Sequence, residues 1–217
     1  MQHNFIDEIH CNSKNKHIVL FSNYRTGSTV LGVAISNLTS LKFYPEVFLP
    51  NNINRFTQMW DSVNQGKKVI ISIQGDQFTD YADHFLNHKL VLGNSYTIKL
   101  HRKNFINQLT SFYIANKIGK FSHYQEDSVI EYEVMIDYSL LNECFNHLLK
   151  SNRILSDLNK PFDLKLTYED HITLLPSKLT SNFLKTPLPK NYVDLKNEIL
   201  IFCNERLGKD LIFLKEA

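Results

Sequence analysis

Residues 17–37, HIVLFSNYRTGSTVLGVAISN, limit most narrowly what this chain can fold into. The unbroken apolar run at 17–22 predicts a buried strand, extended over 17–23. It breaks at Tyr24-Arg25-Thr26-Gly27-Ser28-Thr29, and the apolar stretch after it predicts a helix over 28–36. Strand, tight loop and helix together make an anion cradle. Loop N–H groups converge on the ligand and the helix N-terminus adds partial positive charge. Gly27 accepts φ > 0 and lets the backbone approach the ligand closely. Ser28 and Thr29 are expected to cap the helix and to offer hydroxyls. Arg25 supplies a forked cation that stays charged at neutral pH. The stretch is a candidate binding loop for a phosphorylated ligand.

What the loop lacks narrows that ligand. A nucleoside-triphosphate loop reads G-x-x-x-x-G-K-[ST], but here Ser22 stands at the first glycine and Ser28 at the lysine. A dinucleotide loop needs three glycines, and this loop has one. ATP hydrolysis and dinucleotide chemistry are therefore poorly supported.

The rest of the chain alternates strands with helices. A helix is expected over 54–65, a β-branched strand over 67–73, a helix over 76–87, a strand over 96–101 and a helix over 104–117. A long helix over 138–158, a strand over 162–168 and a helix over 191–207 ended by Gly208 complete the pattern, with 119–136 read as a loop over the site. Such alternation predicts an α/β fold: a central parallel sheet with helices on both faces, in one domain of 217 residues. Ligands of these sheets bind beyond the carboxyl ends of the strands. The loop follows one strand end and Arg102 follows another, so both face one edge if their strands are parallel neighbours.

Composition excludes several classes. A net charge of +2 argues for neither nucleic acid nor a membrane surface. No apolar run is long enough for a membrane span, and the N-terminal residues hold no signal-peptide core. Cys11, Cys144 and Cys203 show neither a disulfide framework nor metal spacing, and Cys144 and Cys203 read as small core residues. His84 and His88 lie four apart but lack a third ligand, so no metal is expected. The expectation is a soluble, cytoplasmic protein.

A second segment, SYTIKLHRKNFINQLTSFYIA at 95–115, carries the most specific pattern. Leu100, Arg102, Asn104, Gln108, Ser111 and Ala115 match L-x-R-x-[DN]-x-x-x-Q-x-x-S-x-x-x-A. With R-[ST]-G-[ST]-[ST] at Arg25–Thr29, the chain resembles sulfotransferases that use 3′-phosphoadenosine 5′-phosphosulfate (PAPS). It is most similar to bacterial carbohydrate sulfotransferases of the trehalose 2-sulfotransferase type.

That resemblance implies a P-loop-like sulfotransferase fold. Arg25, Thr26, Gly27, Ser28 and Thr29 would hold the 5′-phosphosulfate. Arg102 and Ser111 would hold the 3′-phosphate. The product would be adenosine 3′,5′-bisphosphate, with a small-molecule or carbohydrate acceptor and no metal. Glu46, after the rigid Pro45, is the first choice of catalytic base in that family's pattern, with Arg25 stabilising the leaving group. His101 is the second choice, although alternation along a strand turns it away from Arg102. The Tyr-Glu-Asp at 168–170 matches a tripeptide that follows a late strand in the family, with a structural role on loop amides or a basic partner. Two departures stand out. The strand ending Ile73-Gln74-Gly75-Asp76 lacks the histidine of the cytosolic small-molecule enzymes. The C-terminal glycine-rich phosphate loop with its lysine is also missing; Lys178, Lys185 and Lys190 are the available replacements. A kinase-like phosphotransferase and a non-catalytic nucleotide-binding module remain alternatives.

Overall fold

A computed structural model describes residues 5–78, 82, 94–119, 132–158, 161–175 and 188–207. In order these form α1 (Phe5–Ser13), β1 (His17–Ser22), α2 (Ser28–Thr39), β2 (Lys42–Tyr44), α3 (Ile53–Asn64), β3 (Val69–Gln74), β4 (Ser95–His101), α4 (Phe105–Ile118), α5 (Tyr138–Asp157), β5 (Leu164–Thr167), α6 (Tyr168–Leu174) and α7 (Tyr192–Leu207). The five strands make one parallel sheet in the order β2-β3-β1-β4-β5, the layout of a P-loop-like α/β fold.

β1 is the centre of the sheet, and every one of its residues is buried. Alternation sends Ile18 and Leu20 to one face, where α1 and α2 cover them. Val19 and Phe21 go to the other face, under Met59 of α3 and Leu155 of α5. A third cluster joins α4, α5 and α7 and includes the buried Cys144 and Cys203. Burial pushes those thiols up to about 11 and about 12, as expected for inert core cysteines.

The expected elements recur with shifted ends. The 54–65 helix is α3, with Phe56, Trp60 and Val63 partly buried around Met59. Asn104 caps α4, its side chain accepting from Asn107 N at 2.9 Å. Three elements were not expected: α1, the short edge strand β2, and α6. Tyr168 opens α6 rather than ending a strand, because Thr167 caps the helix by accepting from Asp170 N. Of the expected 76–87 helix, Asp76 and Gln77 lie in a 3-10 turn (Gly75–Gln77), and the residues beyond Phe78, apart from Ala82, fall outside the described ones. So do 120–131, His84, His88, Lys178, Lys185 and Gly208.

Candidate functional site

β1 pairs in parallel with both β3 and β4, with Phe21 opposite Ile73 and Lys99. The loop after β1, Gln74–Asp76 after β3 and Arg102 after β4 therefore open on one edge. Three helices hold the loop there. α5 holds its start: Asn23 Nδ2 donates to Leu148 O at 3.3 Å and to Asn152 Oδ1 at 2.6 Å. α4 holds its middle, as Gln108 Nε2 donates to Tyr24 O at 2.6 Å. α6 lies against Gly27, where a Cβ would meet His171 Nε2 at 2.8 Å and a Tyr168 ring carbon at 3.0 Å. With φ at +76°, this position needs glycine on two counts.

The cap differs from the expectation. The N-cap of α2 is Gly27, and no side chain closes it. Ser28 and Thr29 are the first helical residues, too late to cap. Thr26 Oγ1 is spent inside the loop, donating to Asn23 O at 2.7 Å. Among the described residues no side-chain cap bond closes the start of α2, and the helix dipole faces the same edge. Arg25 itself is left-handed, with φ at 60°, a conformation that persists only where the surroundings enforce it.

Arg25, Arg102 and Ser111 come together, but not in the expected pairing. Ser111 Oγ accepts from Arg25 Nε at 2.9 Å. Arg102 braces the loop instead: its Nη1 donates to Arg25 O at 3.2 Å, and its guanidinium lies 4.4 Å from the centre of the Tyr168 ring. Glu169 is 3.9 Å from Arg102 Nε, which makes no hydrogen bond among the described residues. Burial lowers the pKa of both arginines, and the charge of Arg102 lowers that of Arg25 further. Guanidinium keeps its proton regardless, so two adjacent, largely buried cations remain. The Tyr-Glu-Asp segment has the structural role expected of it. Tyr168 stacks on Arg102, Glu169 accepts from Lys103 N, and Asp170 pairs with Lys103 Nζ at 3.2 Å.

On the other side of Tyr24 the edge is acidic. Glu46 has φ at 51°, with its N–H donating to Ser72 O at 3.1 Å and its carbonyl accepting from Asn52. Its carboxylate accepts from Gln74 Nε2. Burial raises its pKa, Arg55 opposes the rise and Asp76 adds to it. Asp76 Oδ2 accepts from Tyr24 OH at 2.8 Å and lies 3.1 Å from His147 Nε2. Burial pushes the Asp76 carboxyl up, but hydrogen bonds from His147 and Tyr24 bring it below its ordinary value.

His147 escaped the sequence reading. The strand ending Gln74-Gly75-Asp76 supplies no histidine, and α5 supplies one from far along the chain. A Cβ on Gly75 would lie 2.3 Å from Ser151 O, so glycine lets α5 sit directly on this turn. His147 and Ser151 are one helical turn apart on one face of α5, which brings the imidazole to Asp76. A glycine followed by a carboxylate at a strand end, together with a His/Ser pair at i, i+4, was the available signal. His101 lies among the charges of Lys99, Glu169, Lys103 and Asp170, and burial with Lys99 lowers its pKa. It makes no hydrogen bond to the loop among the described residues.

Among the described residues no group of three histidine, cysteine or acidic side chains is placed to hold a metal ion, and no helix is long and apolar enough to cross a membrane. No protein-family model matches the chain, and no curated protein matches it.

Proposed function

We propose that the chain is a sulfotransferase that takes PAPS as donor and an acceptor hydroxyl or amine as nucleophile. The observation that carries this reading is the pair of adjacent, largely buried guanidiniums, Arg25 and Arg102, beside the uncapped start of α2. Two guanidiniums beside the amides of one loop form a ready cradle for a polyanion. Glu169 stands 3.9 Å from Arg102 Nε in a partly exposed position. A dianionic phosphate at each end of one adenosine fits this cradle, and Ser28 in place of a loop lysine disfavours a triphosphate.

In this reading the amides of 25–29 and the Arg25 guanidinium hold the 5′ group, and Arg102, Arg25 and Ser111 bear on the 3′-phosphate. Bound PAPS supplies a sulfuryl group: the acceptor oxygen or nitrogen bonds to sulfur as the bond from sulfur to the bridging phosphate oxygen breaks, its electron pair leaving with the 5′-phosphate. Arg25 stabilises the charge that grows there. Glu46 takes the acceptor proton, and its raised pKa makes it a stronger base than a solvated carboxylate.

Calorimetry tests the reading. Adenosine 3′,5′-bisphosphate is expected to bind ~100-fold more tightly than ATP. Equal affinities would favour the phosphotransferase. Sulfate transfer to an acceptor panel, lost in Glu46→Gln, separates an enzyme from a non-catalytic nucleotide binder. Full activity in Glu46→Gln would remove Glu46 as base.

A further inference from the structure

Tyr24, the residue before the left-handed Arg25, is anchored at every polar atom. Its N–H donates to Asn23 Oδ1 at 2.7 Å, its carbonyl accepts from Gln108 and its hydroxyl donates to Asp76 Oδ2. Burial and the Asp76 charge raise the pKa of that hydroxyl, so it keeps its proton, and Gln77 also bonds to it. The ring stacks on Phe112 at 4.7 Å and meets the His147 ring edge-on at 5.0 Å. Phe112 follows Ser111, so this stack joins the same two segments as the bond from Arg25 Nε to Ser111 Oγ. The N–H, carbonyl and Phe112 anchors come from the loop itself or from α4. The hydroxyl leads elsewhere: through Asp76, in the turn after β3, to His147 of α5, whose Nε2 lies 3.1 Å from the same carboxylate oxygen.

The Asp76–His147 pair is not needed to hold α5. The His147 side chain is 43% exposed, and a pair that open adds little to stability. α5 is already fixed to this edge, since Asn23 donates to Leu148 O and Asn152 and Ser151 lies against Gly75. What the pair fixes is the direction of a carboxylate. An ionised carboxylate only accepts, so the imidazole donates from Nε2 and holds Oδ2 where the Tyr24 hydroxyl meets it. We propose that His147 is a positioning residue for the anion-binding loop, acting through Asp76 and Tyr24 on Arg25. Arg25 stands in a left-handed conformation that its surroundings must enforce. With Tyr24 held from both α4 and α5, that conformation is set before the anion arrives, and binding does not have to order the loop. Naming the anion as a 5′-phosphosulfate rests on the sulfuryl-transfer reading; the positioning role rests on the contacts of His147, Asp76 and Tyr24.

Calorimetry with adenosine 3′,5′-bisphosphate and, separately, with inorganic phosphate tests the proposal. His147→Leu and Tyr24→Phe are each expected to weaken both ligands ~5-fold, and the double variant no further, because the two changes cut one line of contacts. His147→Gln, whose amide can still donate to Asp76, is expected to stay within ~2-fold of the parent. Thermal melts report folding. If His147→Leu melts early, Asp76→Ala replaces it, with the same expected loss and the same failure to add to Tyr24→Phe. In the free protein, nitrogen NMR is expected to find the neutral His147 ring protonated at Nε2. A proton on Nδ1 alone, losses that multiply to ~25-fold in the double variant, no rescue by His147→Gln, or full affinity in His147→Leu overturns the proposal. If the bisphosphate binds no more tightly than inorganic phosphate while the variants share one loss, the sulfuryl-transfer reading falls and the positioning role stands. If the bisphosphate binds tightly and His147→Leu leaves it unchanged, the reverse is true.

Discussion

The two ends of the sheet are both basic, and only one of them holds its positive charge inside. At the carboxyl end Arg102, its side chain 14% exposed, lies over the Tyr168 ring and donates to the Arg25 carbonyl. At the amino end Lys14, Lys42, Lys67 and Lys68 line an open cavity of about 600 Å³ with His10. No carboxylate lines that cavity among the described residues, so by charge count it is the stronger anion site. Three of its lysines, however, Lys14, Lys42 and Lys67, are exposed, and they follow the ends of α1, α2 and α3, where helix carbonyl groups favour cations. His17, buried at the same end, is driven the other way: burial and the charge of Lys68 push its pKa down to about 4, so it sits neutral, accepting from Val69 N. The amino end expels buried positive charge and the carboxyl end retains it. The lesson is that a site is marked by charge held out of water, not by the number of charged residues.

The largest expected effect separates the two ends directly. Arg25→Ala combined with Arg102→Ala should weaken adenosine 3′,5′-bisphosphate binding ~1,000-fold, about 4 kcal/mol, while Lys42→Ala with Lys67→Ala should change it less than about twofold. Calorimetry that finds equal losses would erase the distinction. Within the arginine cluster, Arg102→Ala alone should cost the bisphosphate more than adenosine 5′-monophosphate. An equal loss would leave Arg102 as a brace of the loop and nothing more.

Acid sharpens the comparison at the amino end. Because the folded pKa of His17 is about 4 and the unfolded value is near 6.5, the unfolded chain binds the extra proton between them. The His17 contribution to stability is therefore whole above pH ~6.5 and lost as pH falls towards 4, up to about 3 kcal/mol. Denaturant melts of His17→Gln against the parent across that window should show a shallower acid slope; identical slopes would contradict a buried neutral imidazole.

Two glycines give the smallest and cleanest contrast. Gly27 and Gly66 share a left-handed backbone, with φ at +76° and +74°, but a Cβ on Gly66 meets nothing within 4 Å. Gly66→Ala should cost only the backbone strain, about 1 kcal/mol, and Gly27→Ala about 2 kcal/mol, since His171 and Tyr168 must also move. Equal costs by chemical denaturation would mean that α6 yields freely to the loop.

These comparisons show where the sequence was sufficient as a guide. The 17–22 run, the loop glycine and the Asn104 cap are local devices, and each is found where local chemistry places it. The β4–α4 pattern brought Arg102, Gln108 and Ser111 to the loop, because a strand end and the first turns of the following helix move as one unit. Pairing within that group was not local: Arg25 bonds Ser111, while Arg102 meets Tyr168 and Glu169 from a later part of the chain. Gly27, rather than Ser28 or Thr29, takes the capping position of α2, with a conformation that only its surroundings fix.

By itself the chain determined the alternation of strand and helix, the loop that must turn left-handed at Gly27, and the residue types gathered at one edge. These follow from periodicity and backbone sterics, which act over a few residues. Only the tertiary structure decided that α5 would rest on Gly75 and deliver His147 to Asp76, that α6 would form and hold Arg102, and that Tyr24 would divide a cationic side from an acidic one. Those outcomes depend on which helices can approach one sheet edge at van der Waals distance, and that is a property of packing between segments far apart in sequence.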